Sequence, residues 1–292
     1  MLDWYTDFYR AAGQSRAHAV FCQRVYGRDL CQHGFADMAQ LHRLLEVTRL
    51  KPGGRVLDLG CGNGMIAEYI SGTTRARVTG IDNVPTAIRQ ARERTKRKRH
   101  RLDFLVMDIG HLAFAAGAFD AILAIDTLYF TDMADTIRQM KTVLRPGGQM
   151  AILYSHGANP SAPKEIFPKE TTSPDKTPLA QALNVHGLPY RTWHLTAEDY
   201  RQAQRRIPVL ADLKDLFVAE GNQFLYENRL GEASGVSAAI EFGAHARYLY
   251  NVRLTSSEAE PGTETGNGKL RQGPRSLGRL RGPSLVSHSS RT

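Results

Sequence analysis

Val56-Leu57-Asp58-Leu59-Gly60-Cys61-Gly62-Asn63-Gly64 decides how this chain folds. An apolar strand carries an acid near its end and runs into a G-x-G-x-G turn, and Met65 to Ser71 then begins a helix. Glycines belong where a backbone must turn sharply and let a ligand approach with no Cβ in the way. The spacing is not the G-x-G-x-x-G of a dinucleotide site, and Asp58 would crowd a pyrophosphate. An acid at this point suits a cofactor with a positive charge and no phosphate. Taken alone, the turn reads equally well as a plain strand-to-helix connection.

Downstream, apolar runs and helical spacings alternate. Strands are expected at 55–59, 77–81, 103–107, 121–125 and 149–154, with helices at 86–98 and 133–144 between them. Alternation of this kind argues for an α/β fold: a Rossmann-like, seven-stranded, mostly parallel sheet with helices on both faces. Upstream, residues 1–47 read as a cap of amphipathic helices, from the spacing of Leu2, Tyr5, Phe8 and Tyr9 and of Met38, Leu41, Leu44 and Leu45. Val25 to Phe35, with two glycines, reads as a loop, and Lys51-Pro52-Gly53-Gly54 as a turn.

Residues 55–156 then form the cofactor-binding core, and 157–246 a late loop and helical insertion over the substrate. Within the insertion, 157–178 is a Pro- and Lys-rich loop, 178–184 a short helix, 190–195 a possible strand and 196–241 helical. Arg247 to Leu254 alternates as a last strand, and 255–292, which has no aromatic residue, reads as a disordered basic tail.

Read together, four motifs resemble those of the class I S-adenosylmethionine-dependent methyltransferases, of the small-molecule type. The first is Val56 to Gly64, similar to V-L-D-x-G-x-G-x-G. Asp82 stands where that family ends its second strand in an acid for the ribose hydroxyls, and Asp108 where an acid faces the adenine amine. Leu144-Arg145-Pro146-Gly147-Gly148 matches the turn before the fifth strand. The resemblance implies S-adenosyl-L-methionine as cofactor and S-adenosyl-L-homocysteine as product. It implies cofactor contacts from Asp58, Gly60, Gly62, Gly64, Asp82, Asp108 and Asp126. More loosely, it implies a loop element such as Tyr26-Gly27 or His33-Gly34 closing the other side, with Tyr26 reading also as ordinary helix packing.

Methyl transfer from a sulfonium is an in-line displacement that depends mostly on holding the acceptor ~3 to 3.5 Å from the methyl. A base is needed only where the acceptor must lose a proton. In this fold the reaction occurs at the carboxyl ends of the strands. Candidates there are Asp126, as base or ammonium partner, and Tyr129, as pocket wall or orienting hydroxyl. His156 is a candidate base near neutral pH. Helix capping for Asp126, packing for Tyr129 and a surface position for His156 are the competing readings. No Pro-Pro-Tyr, no Pro-Cys and no pair of acids with an asparagine follows the fourth strand. That argues against base amino methylation, cytosine C5 methylation and a magnesium site.

Three cysteines, Cys22, Cys31 and Cys61, form no C-x-x-C pair, so neither a disulfide framework nor a cysteine metal site is expected. The start of the chain has no basic segment followed by an apolar one, and no apolar run reaches the ~18 residues of a membrane span. A cytoplasmic enzyme acting on a small molecule, without membrane partners, is the expectation; the oligomeric state stays open. Most of the net charge of +9 sits in Arg89 to Arg101, with eight basic residues and one acid, and in the tail from Thr255, with six basic residues and three acids. A solvated helix face and a flexible tail account for it better than a nucleic-acid footprint, since stacking aromatics are missing from both segments. Docking of RNA or protein on that helix, and a non-catalytic cofactor-binding subunit, are the alternatives.

Overall fold

The computed structural model describes residues 2–157 and 172–255. Residues 158–171, in the Pro-rich loop, and the tail from 256 on lie outside that range. Three helices come first: α1 (Leu2–Ala12), α2 (Arg16–Tyr26) and α3 (Met38–Thr48). Ser15 caps α2 by accepting from the His18 N–H, Asp37 caps α3 by accepting from Gln40, and Gly27 ends α2 at φ 86. Helix α2 therefore extends to Tyr26, into the segment expected to be loop.

The sheet follows. Its elements are β1 (Arg55–Leu59), α4 (Met65–Thr74), β2 (Arg77–Asp82), α5 (Pro85–Arg94), β3 (Leu102–Val106), β4 (Phe119–Ile125), α6 (Met133–Val143) and β5 (Leu144–Gly157). After them come α7 (Pro178–Val185), β6 (Tyr190–His194), α8 (Thr196–Ala219), α9 (Gln223–Glu241) and β7 (His245–Arg253). The strands lie in the order β3-β2-β1-β4-β5-β7-β6. Only β7 runs against its neighbours, pairing from Gln149↔Arg253 to Gly157↔His245 with β5 and from Tyr190↔Val252 with β6. The Leu-Arg-Pro-Gly-Gly element enters β5 with a register irregularity opposite Phe119 to Ala121, where Gly147 has φ 72.

A two-residue period sorts the strands' side chains onto two faces. Leu57, Leu59, Ile122, Ile152 and Tyr250 join one core with α6 and α7, while Val56, Val78, Leu123, Leu153 and Leu249 join the other with α3, α4 and α5. Burial on both faces is why these strands read as continuous apolar runs. A third core unites Phe8 of α1 and Phe21 of α2 with Leu210 and Phe217 of α8 and Leu225 of α9. The N-terminal cap and the late insertion, about 170 residues apart in sequence, are thus one packed layer over the strand ends.

The basic stretch is not one helix. Helix α5 stops at Arg94, and a single 3-10 turn, Lys96–Lys98, follows. Part of its charge is taken up locally: Arg94 and Lys98 both reach Glu68, and Lys96 reaches Glu93.

Candidate active site

The glycine turn closes on the end of β2. Cys61 N–H donates to the Ile81 carbonyl at 2.9 Å, and Gly62 N–H donates to Asp82 Oδ2 at 2.9 Å. The other oxygen, Oδ1, accepts from Val84 N–H at 2.9 Å. Burial raises the Asp82 carboxyl above its ordinary range, and the N–H groups of Val84, Gly62 and Asn83 pull against that rise. Gly60 and Gly62 have φ of 68° and 53°. A Cβ on Gly60 would run into the Thr127 hydroxyl, and one on Gly62 into the Tyr9 hydroxyl. Gly64, the N-cap of α4, faces the Phe104 ring in the same way.

Between this turn and α1 lies a cavity of about 240 Å³. Its floor is Gly60 to Asn63 and Asp82 to Val84; its sides include Asp108 and Asp126; Tyr5 and Tyr9 cover it. Among the described lining residues there is no Lys or Arg. A dinucleotide would bring a pyrophosphate needing positive countercharge, whereas an acidic wall fits a sulfonium cofactor with a ribose diol. Glycines that a Cβ would block, beside a strand-end acid with free lone pairs, make the cavity a fit for S-adenosylmethionine.

Asp108 lies on the wall, exposed, with Oδ1 accepting from Gly110 N–H at 2.8 Å. His33 also lines the cavity, its ring set edge-on against Trp4, Tyr5 and Phe8 at 4.9–5.2 Å. Burial pushes the His33 imidazole down to about 4, with Glu232 opposing and Arg229 and Arg206 adding to the fall, so the ring is neutral at pH 7. Asp58 stands beneath the turn, off the cavity wall and 2% exposed; burial, then Asp82, pushes its carboxyl up to about 7. Tyr26 is also off the wall. Its hydroxyl donates to the Gly34 carbonyl at 3.0 Å and accepts from Arg206 at 2.8 Å. It holds the loop that His33 belongs to and does not face the cavity.

Of the three residues expected to act on the acceptor, only Asp126 lines the cavity. Its backbone is left-handed at φ 56, tolerable for an aspartate. Its carboxylate accepts from both terminal nitrogens of Arg247 and from Phe35 N–H at 2.9 Å. Tyr129 stacks on Tyr154 at 5.0 Å between ring centres, and its hydroxyl accepts from Ser155 N–H at 2.7 Å. His156 continues that stack beyond Tyr154 and is off the described wall.

Three arginines that sequence reading passed over organise the site. Arg206 of α8, Arg229 of α9 and Arg247 of β7 are wholly buried. Arg229 donates to the carbonyls of Gln32 (2.7 Å) and His33 (2.6 Å), and Arg206 to that of Gly34 (3.2 Å). Both also pair with Glu232. Burial alone would raise the Glu232 carboxyl, but Arg229 and Arg206 overcome it and hold the group low. The insertion thereby grips the loop that lines the cofactor cavity. Only the helical spacings of Gln202 with Arg206 and of Arg229 with Glu232 hinted at this in the sequence.

A methyltransferase-domain family model matches residues 56–148. The ubiquinone biosynthesis O-methyltransferase of Methylocella silvestris is 36% identical over 147 residues, covering 49% of this chain and 57% of the relative. A methyltransferase of Streptomyces halstedii, GfsG, is 35% identical over 126 residues, covering 42% and 44%. The chain thus spans about half the length of the curated relatives it matches. Among solved structures, phosphoethanolamine N-methyltransferase 2 of Haemonchus contortus, in complex with S-adenosyl-L-methionine, superposes with TM-score 0.68 at 19% identity. That likeness, which shows the fold, covers 86% of this chain and 60% of the other. Residues 56–148 thus match a methyltransferase-domain family, and in its ordered motifs and its sheet the chain is similar to the class I S-adenosylmethionine-dependent methyltransferases.

Proposed function

We propose that this protein transfers a methyl group from S-adenosylmethionine to a small-molecule acceptor. The observation that carries the reading is the Gly60–Gly62 turn, tied to Asp82 and roofed by Tyr5 and Tyr9 over a cavity of about 240 Å³. Asp82 accepts from Gly62 N–H on one oxygen and from Val84 N–H on the other, and lone pairs remain on both for the ribose hydroxyls. Asp108 serves the adenine amine, and the bare backbone of Gly60 and Gly62 lets the cofactor lie close. When bound, the cofactor supplies an electrophilic methyl on a sulfonium.

The protein's own contribution is placement. Helix α1 covers one side of the cavity, and the Arg206–Arg229 grip keeps the 32–34 loop in position. Asp126 acts as a fixed wall group bound to Arg247, not as a proton acceptor, because the guanidinium and Phe35 N–H hold both its oxygens. A walled cavity favours small acceptors over RNA or protein. The basic stretch supports macromolecular docking less, since Glu68 and Glu93 already take Arg94, Lys96 and Lys98.

The test uses methyl-labelled S-adenosylmethionine, the protein and a cell extract split into small-metabolite and macromolecular fractions. Label entering the small fraction supports the reading. Label entering only RNA or protein overturns the acceptor class.

A further inference from the structure

The charge balance around the cavity selects its acceptor. No Lys or Arg lines the cavity among the described residues, so none of those residues offers an acidic acceptor a countercharge. The nearby buried arginines do not supply one. Arg229 is directed to the Gln32 and His33 carbonyls and to Glu232, and Arg206 to Gly34, Glu232 and Tyr26. Their flat faces lie on aromatic rings, Arg206 over Phe35 at 3.9 Å and Arg229 over Phe8 at 5.1 Å.

A cationic acceptor fares no better. Asp126 is neutralised by Arg247, and Asp82 belongs to the glycine turn. Asp108 follows β3, which the sheet order separates from β4 and Asp126 by two strands. Beside these groups the mouth of the cavity offers apolar side chains. Leu2 and Phe130 line the cavity yet remain 47% and 50% exposed. Tyr5 packs edge-on to Phe130 at 5.9 Å, and Tyr129 does so at 6.2 Å from the other side. One exposed leucine means nothing, but apolar side chains gathered at the mouth of a cavity mark what it takes in. The Tyr5 hydroxyl makes no hydrogen bond to the described residues, which leaves it as a neutral donor on this wall.

We propose that the acceptor is an uncharged molecule with an apolar body and one oxygen function, seated against Leu2, Tyr5 and Phe130. Phosphorylated, carboxylated and quaternary ammonium acceptors are rejected by this site. The inference rests on the methyltransferase reading, and its test separates the two.

Binding of S-adenosylhomocysteine to the full chain is measured first by calorimetry; no binding removes the methyltransferase reading and this inference with it. The saturated protein is then titrated with 4-butylphenol, 4-butylphenyl phosphate and (4-butylphenyl)trimethylammonium. The neutral phenol is expected to bind at least about tenfold more tightly than either charged probe, because a charge buried without a partner is costly. Phe130→Ser, at an exposed position that threatens no core, is expected to weaken the phenol about tenfold through lost apolar burial. Its affinity for S-adenosylhomocysteine is measured alongside, so that the loss for the phenol is read on cofactor-loaded protein. A charged probe that binds as tightly as the phenol overturns the inference. So does an unchanged Phe130→Ser variant, or the failure of all three probes on protein that binds S-adenosylhomocysteine.

Discussion

Arg247 and Asp126 form an ion pair that joins the last strand to the turn after β4: a wholly buried guanidinium meets a carboxylate on the cavity wall. Arg247 also reaches Gln40 Oε1 at 3.1 Å and Ser155 Oγ at 3.0 Å, and its Nε lies 3.7 Å from Asp199. Burial alone would lower its guanidinium, but Asp126 and Asp199 hold it charged. Removing one partner strands the other charge. Arg247→Met is expected to cost roughly 3–5 kcal/mol. Adding Asp126→Asn is expected to restore part of that, as urea unfolding of both variants checks.

Arg229 makes a different use of its charge. Its terminal nitrogens serve two successive backbone carbonyls, a reach that a lysine ammonium lacks. Arg229→Lys keeps the charge beside Glu232 but releases one carbonyl. Stability is expected to fall by about 1–3 kcal/mol. Affinity for S-adenosylhomocysteine is expected to fall about tenfold, since the loop it pins lines the cavity. Calorimetry at a temperature where the variant remains folded separates the two effects.

Gly60 has no room for a side chain. At φ 68 an alanine is strained by about 1–2 kcal/mol, and its methyl collides with the Thr127 hydroxyl. Gly60→Ala is expected to lose cofactor binding by at least about a hundredfold. The double variant with Thr127→Gly, which clears the collision, should recover part of the loss; equal binding by wild type and Gly60→Ala would sink the cradle.

Much of this was legible in advance. The order of strands and helices, the glycine turn and the acids at 82 and 108 are local patterns, and the structure has them on one cavity. Tyr26 and Asp58 lie off the described cavity wall, which the sequence did not show, because it tells where a residue stands on its element and not which way its side chain turns. The buried arginines were hidden for a related reason: Arg206 and Arg229 sit in helices rich in charge, and their partners at 32–34 are carbonyls about 170 to 200 residues away. Nothing local announces that the cap and the insertion share a core.

Asp58 sets a pH dependence. Burial raises its carboxyl to about 7 from the ordinary 3.8, so between those values the unfolded chain releases a proton that the folded protein keeps. Its contribution to stability is therefore whole below about pH 3.8 and lost progressively as pH rises through about 7. Asp58→Asn removes that loss. The variant's melting temperature relative to wild type is expected to climb from pH 4 to pH 7 and then level off, by up to about 4 kcal/mol in stability. A difference that stays flat across this range contradicts the buried-acid account.

The most direct measurement is calorimetric titration of the full chain with S-adenosylmethionine, beside the Asp82→Ala variant. Asp82 both ties down Gly62 and keeps lone pairs for the ribose, so the account requires one site in the wild type and a loss of at least about a hundredfold in the variant. A thermal melt on each confirms that both are folded. Equal affinity in the two proteins, or none in the folded wild type, would contradict the cofactor site on which the rest depends.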